Sequence, residues 1–388
     1  MTKLRIMFFL STILVVGIIG LFVSYYARGY RLDYKTLRFS PNGILVIKSE
    51  PDGASVLINR ELKTATNATL SLPPGNYDIE VKREGFLPWN KRLTIEKEVV
   101  TQATVSLFKS LPSLSPLTFS GAQNPIISED NSKIAYLIPP SQNSEPDNSG
   151  LWITDVVNLP LGFGRDPRRI TDGDLKDAVY EFSPDARQLL LTTSKGISLL
   201  DSGSFTPQAQ RVNTATTVAT IRANWKREKE AKNEALVENL PTQIANIFLN
   251  KTENLIFSPD ENMILYTASE SATIPENLVD PLPGSSTQKQ ERVVKEGQKY
   301  VYDIKEDRNF LISEGSTLPH WMPTSRHLLL SEEGKVTVMD YDGTNKQTVY
   351  QGSYIAPFAF PFSNTSKLLI LTSLGSESAP NLYSLTIK

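Results

Sequence analysis

Apolar and polar positions along this chain fall into distinct regimes. From Ile6 to Tyr26 the sequence IMFFLSTILVVGIIGLFVSYY carries no charge. As a helix rising ~1.5 Å per residue it can cross the ~30 Å hydrocarbon core of a bilayer. The run predicts a transmembrane helix over residues 6–27, after a short tail of residues 1–5, with Tyr25, Tyr26 and Tyr30 at interface depth and Arg28 and Arg31 among headgroups. A cleaved signal peptide is the competing reading, but its apolar core is only about 7–15 residues long, and no small-x-small site precedes Ala27. Local charge leaves the orientation open. Lys3 and Arg5 face Arg28, Arg31, Lys35 and Arg38, which nominally favours a cytoplasmic C-terminus, yet long downstream domains translocate largely regardless of such charges.

After a juxtamembrane linker, residues 28–42, the pattern changes to a period of two. Ile44 to Lys48 reads as a strand, Pro51-Asp52-Gly53 as a tight turn and Ser55 to Ile58 as the next strand. Pro74-Gly75 has the chemistry of a type II turn. Beyond it Tyr77, Ile79 and Val81 alternate with Asp78, Glu80 and Lys82, the mark of a half-buried strand. Gly85 introduces the large apolar surfaces of Phe86 and Trp89, and Thr101, Ala103, Val105 and Leu107 close the series. Residues 43–108 therefore predict a small antiparallel β-sandwich.

Residues 109–121, rich in Pro and Ser, read as a linker or a first edge strand. A recurring pattern follows: IISEDNSKIAYL, EFSPDARQLLLTT, IFSPDENMILYTA, HWMPTSRHLLLSE and FSNTSKLLILTS. Each copy has an aromatic or apolar residue, a turn and an apolar strand. The turn is clearest at Phe182-Ser183-Pro184-Asp185 and Phe257-Ser258-Pro259-Asp260. It is degraded after Ile127, at Trp321 to Thr324 and at Phe362 to Thr365. Irregular copies of a turn plus antiparallel strands predict a β-propeller of five or six blades over residues 109–388, the ring completed by residues 110–121. The fold expected is all-β, preceded by one transmembrane helix.

Two insertions break the repeat. At about 214–250, Val218, Ile221 and Trp225 recur at helical spacing while Arg222, Lys226, Arg227, Glu228, Lys229 and Glu230 fill the other face. Pro241 then precedes a second apolar stretch, residues 244–249. This predicts a helical hairpin, either a partner-docking arm or a solvated helix packed by one stripe. Residues 273–290, rich in Pro, Gly and Ser, read as a mobile loop.

Composition narrows the chemistry. Lys and Arg number 40 against 42 acidic residues, so no global field gathers nucleic acid, and none is expected as partner. No cysteine is present, which removes disulfides, thiolate metal sites and cysteine nucleophiles. His320 and His327 are the only histidines, little material for a metal cluster or a triad. Gly-x-Ser-x-Gly, phosphate-loop and His-Glu-x-x-His motifs are missing, so no catalytic, cofactor-binding or metal residue is assigned and no enzyme activity is expected. Asp172, Asp174 and Asp177, and Asp340 and Asp342 with Asn345, could suit calcium, but Asp-Gly is also ordinary turn chemistry.

Pro51-Asp52-Gly53-Ala54 in SEPDGASVLINR, with LPPGNYDIEVKREGF, resembles the PEGA domain, Asp52 standing where the family usually has Glu. The F-S-P-D turns resemble those of TolB-type and WD-like propellers. The PEGA resemblance implies a structural or binding module of a prokaryotic envelope protein and carries no catalytic residues. Gly53, Gly75 and Gly85 then read as backbone devices, and Tyr77, Phe86 and Trp89 as core. The expectation is a non-enzymatic, single-pass, membrane-anchored envelope protein, held by residues 6–27 in the bilayer, with most of the chain extracytoplasmic. Its propeller would present a rigid face to a protein or glycan partner. A surface-layer component, or an enzyme or sensor using carboxylates on the propeller face, are the alternatives.

Overall fold

The computed structural model describes residues 2–27, 30–33, 38–140, 148–156, 166–362, 365–375 and 379–388. Arg28, Lys35 and Asn364, which entered the sequence reading, lie outside them. The chain divides into two compact units: Met1–Leu107 with Asp280–Lys289, and Phe108–Val279 with Gln290–Lys388.

The first unit opens with helix α1 (Thr2–Ala27). Its stretch Arg5–Ala27 has a mean hydropathy of 2.8 and none of it is buried within the protein. Where the sequence suggested a linker over 28–42, strands β1 (Tyr30–Asp33) and β2 (Arg38–Pro41) pair as a hairpin. Strands of four residues are too short to register as alternation. The sandwich follows as β3 (Gly43–Glu50), β4 (Ser55–Ile58), β5 (Glu61–Ala65), β6 (Ala68–Leu72), β7 (Gly75–Lys82), β8 (Trp89–Ile95) and β9 (Val100–Ser106). One sheet runs β6-β3-β9 and the other β5-β4-β7-β8. Leu45, Ile47, Val56, Ile79, Val81 and Trp89 fill the space between. The sandwich is antiparallel except for one pair: β3 and β9 run parallel, Ile44 opposite Val100. Alternation within a strand says which face it buries and nothing about the direction of its neighbour.

The second unit begins with β10 (Ser113–Pro116), followed by β11 (Gln123–Ile127), β12 (Lys133–Ile138), β13 (Gly150–Asp155) and β14 (Arg168–Thr171), then β15 (Val179–Phe182), β16 (Gln188–Thr193) and β17 (Gly196–Asp201). After helices α2 (Val218–Val237) and α3 (Thr242–Asn250) come β18 (Thr252–Phe257), β19 (Met263–Ala268), β20 (Ala272–Thr273), β21 (Val293–Val294), β22 (Lys299–Asp303) and β23 (Arg308–Ser313). The chain ends with β24 (His320–Trp321), β25 (His327–Glu332), β26 (Lys335–Asp340), β27 (Gln347–Gln351), β28 (Ala359–Pro361), β29 (Lys367–Thr372) and β30 (Asn381–Thr386). Among the described residues these form five successive antiparallel blades: β11-β12-β13-β14, β15-β16-β17, β18-β19-β22-β23, β24-β25-β26-β27 and β10-β30-β29-β28.

Buried clusters join neighbouring blades, as a propeller requires. Leu137 and Ile153 of the first pack with Tyr180 and Leu189 of the second. Leu265 and Phe310 of the third pack with Trp321 and Leu328 of the fourth. Ser331 Oγ of the fourth donates to Ala359 O of the fifth at 3.2 Å. Ile134 and Tyr136 of the first pack with Leu369 and Leu382 of the fifth. β10, the earliest strand of the unit, pairs with β30, the last, Ser113 opposite Thr386, so the two ends of the unit share one blade. The sheet-edge problem is thereby solved by joining the two ends of the chain segment.

Hydrogen bonds from the opening strand of one blade also reach the opening strand of the blade before it. Tyr180 in β15 donates its hydroxyl to Asn124 O in β11, and the Trp321 indole in β24 donates to Ile256 O in β18 at 3.2 Å. The second blade has three strands; in place of a fourth, Asn213 makes a single bridge to Ser198. The helical insert follows that point. Ile244 and Phe248 of α3, with Val237 at the end of α2, pack on Ile264, Tyr266, Tyr300 and Tyr302 of the third blade, on the face away from the fourth.

The insert read as a mobile loop has a packed stem. β20 and β21 pair, Ile274 and Val294 are buried, and only the tip, Asp280–Lys289, groups with the first unit. There Thr94 N donates to Thr287 Oγ1 at 3.2 Å and Gln288 Nε2 donates to Arg92 O at 2.6 Å. Pro, Gly and Ser content marks the segment as irregular but cannot show that its base is buried.

Candidate interaction surface

The signature of the first unit is a fastened turn. Ala54 is fully buried; its amide donates to Thr66 Oγ1 at 3.0 Å, and Thr66 N returns a bond to Ala54 O at 2.8 Å. Gly53 has φ 69° and donates to Thr66 O, a conformation that costs a glycine little. Pro51 and Asp52 lead into it; the Arg83 guanidinium donates to Asp52 O and lies 5.9 Å from the Phe86 ring. Pro74-Gly75 enters β7, where Tyr77 donates its hydroxyl to Pro73 O at 2.8 Å. Gly85 has φ 79°, and Tyr77 and Phe86 pack half-buried against the core. Between the two glycine turns lies an open cleft of about 560 Å³, lined by Gly53, Ser55, Lys82, Arg83 and Phe86 among others.

The repeated propeller turns share one hydrogen-bond plan. Ser128, Ser183 and Ser258 each accept, on Oγ, the amide five residues later: Lys133 at 2.9 Å, Gln188 at 2.9 Å and Met263 at 3.0 Å. Each Ser hydroxyl donates to the carboxylate two residues on, Asp130 at 2.5 Å, Asp185 at 2.6 Å and Asp260 at 2.7 Å. The Ser183 hydroxyl and the Arg187 amide hold the Asp185 carboxyl below its ordinary range. The next residue is left-handed in four of the five copies, with φ of 53° at Asn131, 55° at Ala186, 58° at Glu261 and 57° at Ser325. Phe182 with Pro184, and Phe257 with Pro259, complete this framework, and Trp321 is buried between blades. These residues build turns.

The degraded fourth copy replaces Ser by Met322 and Asp by Thr324, and thereby makes a hydroxyl–imidazole–carboxylate chain that sequence spacing did not reveal. Thr324 Oγ1 lies 2.9 Å from His327 Nδ1, and His327 Nε2 lies 3.8 Å from Asp340 Oδ1. The Thr324 oxygen also accepts the Arg326 amide at 3.2 Å, while His327 is 4% exposed and lies edge-on to Phe108. The hydroxyl thus caps its turn inside the protein. His320 is half-buried, edge-on to Phe360, and its partial removal from water lowers its pKa. Asp172 Oδ1 accepts the Gln208 amide at 2.7 Å, and Asp174 accepts that of Lys176. Asp342 accepts from Thr344, and Asp340 from Asn345. Among the described residues, no three of His, Asp or Glu gather as a metal cage.

The densest polar cluster underpins the third-blade loop. Asp307 accepts Arg292 Nη1 at 2.8 Å, the Tyr302 hydroxyl at 2.8 Å and the Leu278 amide at 2.8 Å. Nearby, the buried Tyr266 hydroxyl donates to Asn309 Oδ1 at 2.9 Å. Tyr266 and Tyr302 both meet the Phe248 ring edge-on, at 5.1 and 5.5 Å.

Helix α2 has the most open setting. Its stripe of Val218, Ile221 and Trp225 is half-buried, and Val237 alone is fully buried among its residues. Arg222 pairs with Glu181 in β15 at 2.7 Å, Lys229 with Glu129 after β11 at 3.1 Å, and Asn233 Nδ2 donates to Leu255 O in β18 at 3.2 Å. Helix α2 thus touches each of the first three blades.

Residues 42–111 match the PEGA domain. This segment is a PEGA domain. No curated protein matches the chain. Among solved structures, the PEGA-bearing chain is similar to a putative TolB from Agrobacterium tumefaciens at 13% identity and TM-score 0.24, covering 67% of this chain and 76% of that one. TolB from Acinetobacter baumannii aligns at 12% identity and TM-score 0.24, over 80% of this chain and 59% of the other. Oligogalacturonate lyase from Vibrio parahaemolyticus aligns at 10% identity and TM-score 0.25, over 80% and 86%. The propeller assignment rests on the sheet order and the contacts between blades given above.

Proposed function

We propose that this protein is a single-pass membrane-anchored scaffold of the cell envelope, non-catalytic, that presents its PEGA domain and propeller outside the cytoplasm to a protein partner. The observation that carries the reading is the exposed apolar surface of α1, directly preceding the PEGA domain. Side chains from Ile6 to Tyr26 such as Phe9, Leu14 and Val16 are 67%, 65% and 64% exposed, an arrangement that water disfavours and a bilayer satisfies. Support for a binding role comes from the ring itself, a rigid frame whose insertions carry exposed polar surface. Of the carboxylates singled out in the sequence, Asp172, Asp174, Asp340 and Asp342 accept hydrogen bonds from nearby protein groups.

The test is topology and extraction in intact cells. A C-terminally tagged chain should stay with membranes through alkaline carbonate and lose its tag to external protease once any outer layer is opened. Removal of residues 2–27 should release it to the soluble fraction. A tag protected until the inner membrane is broken refutes the envelope reading, and carbonate release of the intact chain refutes the anchor.

A further inference from the structure

We infer that the surface of the first three blades beneath α2 is a docking site for an amphipathic helix with basic residues, and that α2 occupies it in cis as a stand-in which the partner's helix displaces. This rests on the protein-binding reading above and names the chemistry of the partner.

Three observations converge. The surface bears acidic groups on two neighbouring blades, Glu181 in β15 and Glu129 in the turn after β11, each met by a cation of α2. It also offers Leu255 O on β18, which takes an amide hydrogen of Asn233. A helix bearing cations about two turns apart and an amide one turn further on therefore complements three successive blades. The second observation is how lightly α2 is held. Its two ion pairs are about half exposed, with side-chain exposures of 52% and 44% for Arg222–Glu181 and 47% and 46% for Lys229–Glu129. Pairs in that setting contribute little and are screened by salt.

The third is the contrast with α3. Ile244 and Phe248 are buried beneath it, and Val237 is buried at the junction, with Leu240 N bonded to Val237 O. The short segment from Glu238 to Pro241 separates a fixed helix from a lightly held one, and Pro241 cannot continue a helix from the preceding turn. The anchored end keeps α2 close to its site while allowing another helix to compete, because a tethered ligand acts at high effective concentration.

The experiment uses the detergent-solubilised full chain and a fluorescent peptide of residues 218–237. Arg222→Gln with Lys229→Gln in the full chain loosens the resident helix, so the wild-type peptide should bind this variant roughly three- to tenfold more tightly than the unmodified chain, the range expected from two half-exposed ion pairs. The same two substitutions placed in the peptide should weaken its binding by a similar factor, and a scrambled peptide should not bind. Saturable binding with these opposite responses supports the proposal. Absence of saturable binding to the variant chain overturns it, as does equal affinity of wild-type and variant chains. Failure here leaves carbonate extraction and tag accessibility unchanged, so it is distinguishable from failure of the envelope reading.

Discussion

Asp307→Asn probes how the long loop of the third blade is held. Asp307 and Arg292 form an ion pair at 2.8 Å with side chains only 5% and 13% exposed. The carboxylate also receives the Tyr302 hydroxyl on one oxygen and the Leu278 amide on the other. Asparagine keeps the size and tolerates the φ of 49° at this position, so the backbone is not disturbed. It removes the charge and turns one acceptor into a donor, leaving a buried guanidinium without its counter-ion. Breaking a buried pair from one side costs about 3–5 kcal/mol. Ile274 N bonds to Arg292 O, so the stem of the loop should loosen with the pair. In native-state hydrogen exchange on the full chain, the amides of Ile274 and Leu278 should lose protection by roughly 10²- to 10⁴-fold, at 1.36 kcal/mol per decade. Combining Asp307→Asn with Arg292→Met should restore more than half of the loss, because the stranded charge is gone. A loss under tenfold, or strict additivity of the two substitutions, refutes the claim that this pair anchors the loop.

Burial pushes the Asp303 carboxyl up to about 6. The folded protein therefore keeps that proton to higher pH than the unfolded chain, and this group lowers stability as pH rises from about 4 to about 6 and leaves it level above. Asp303→Asn should remove the slope and stabilise the protein at pH 7 by about 1–3 kcal/mol, seen as a gap between wild-type and variant melting midpoints that opens between pH 4 and pH 6; parallel midpoints would contradict it. Ser258→Ala strands the Met263 amide, which bonds Ser258 Oγ at 3.0 Å, and should cost about 1–3 kcal/mol in denaturant unfolding; an unchanged midpoint would show that the turn plan is dispensable. Gly43→Ala would place a Cβ 2.2 Å from Glu96 O and 2.5 Å from Ile95 Cγ2, and should destabilise the PEGA domain by about 1–3 kcal/mol, read from exchange of its β3 amides.

Much of this protein is legible in the order of its residues. The uncharged run from Ile6 to Tyr26 reads as an apolar helix, because length and hydropathy are summed locally along one segment. The Ser-x-Asp turns do too: a hydroxyl and a carboxylate two residues apart make their bonds within five residues, so their geometry is a local property. Alternation at Tyr77, Ile79 and Val81 likewise settles which side of β7 is buried, Ile79 and Val81 being core.

Tertiary structure decided everything that depends on partners distant in sequence. The parallel pairing of β3 with β9, the pairing of Ser113 with Thr386 across the length of the second unit and the meeting of Arg292 with Asp307 involve residues whose chemistry taken singly is ordinary. The same holds for Thr324, His327 and Asp340, whose chain arises only because β25 and β26 run side by side, His327 opposite Asp340. For α2 the sequence left two readings, an arm or a solvated helix, since the half-buried stripe of Val218, Ile221 and Trp225 suits both. Glu181, Glu129 and Leu255 come from three separate blades, and only the packing of those blades brings them to one helix face. Periodicity records what a segment needs to bury, while the identity of what buries it is fixed by the packing of elements distant in sequence.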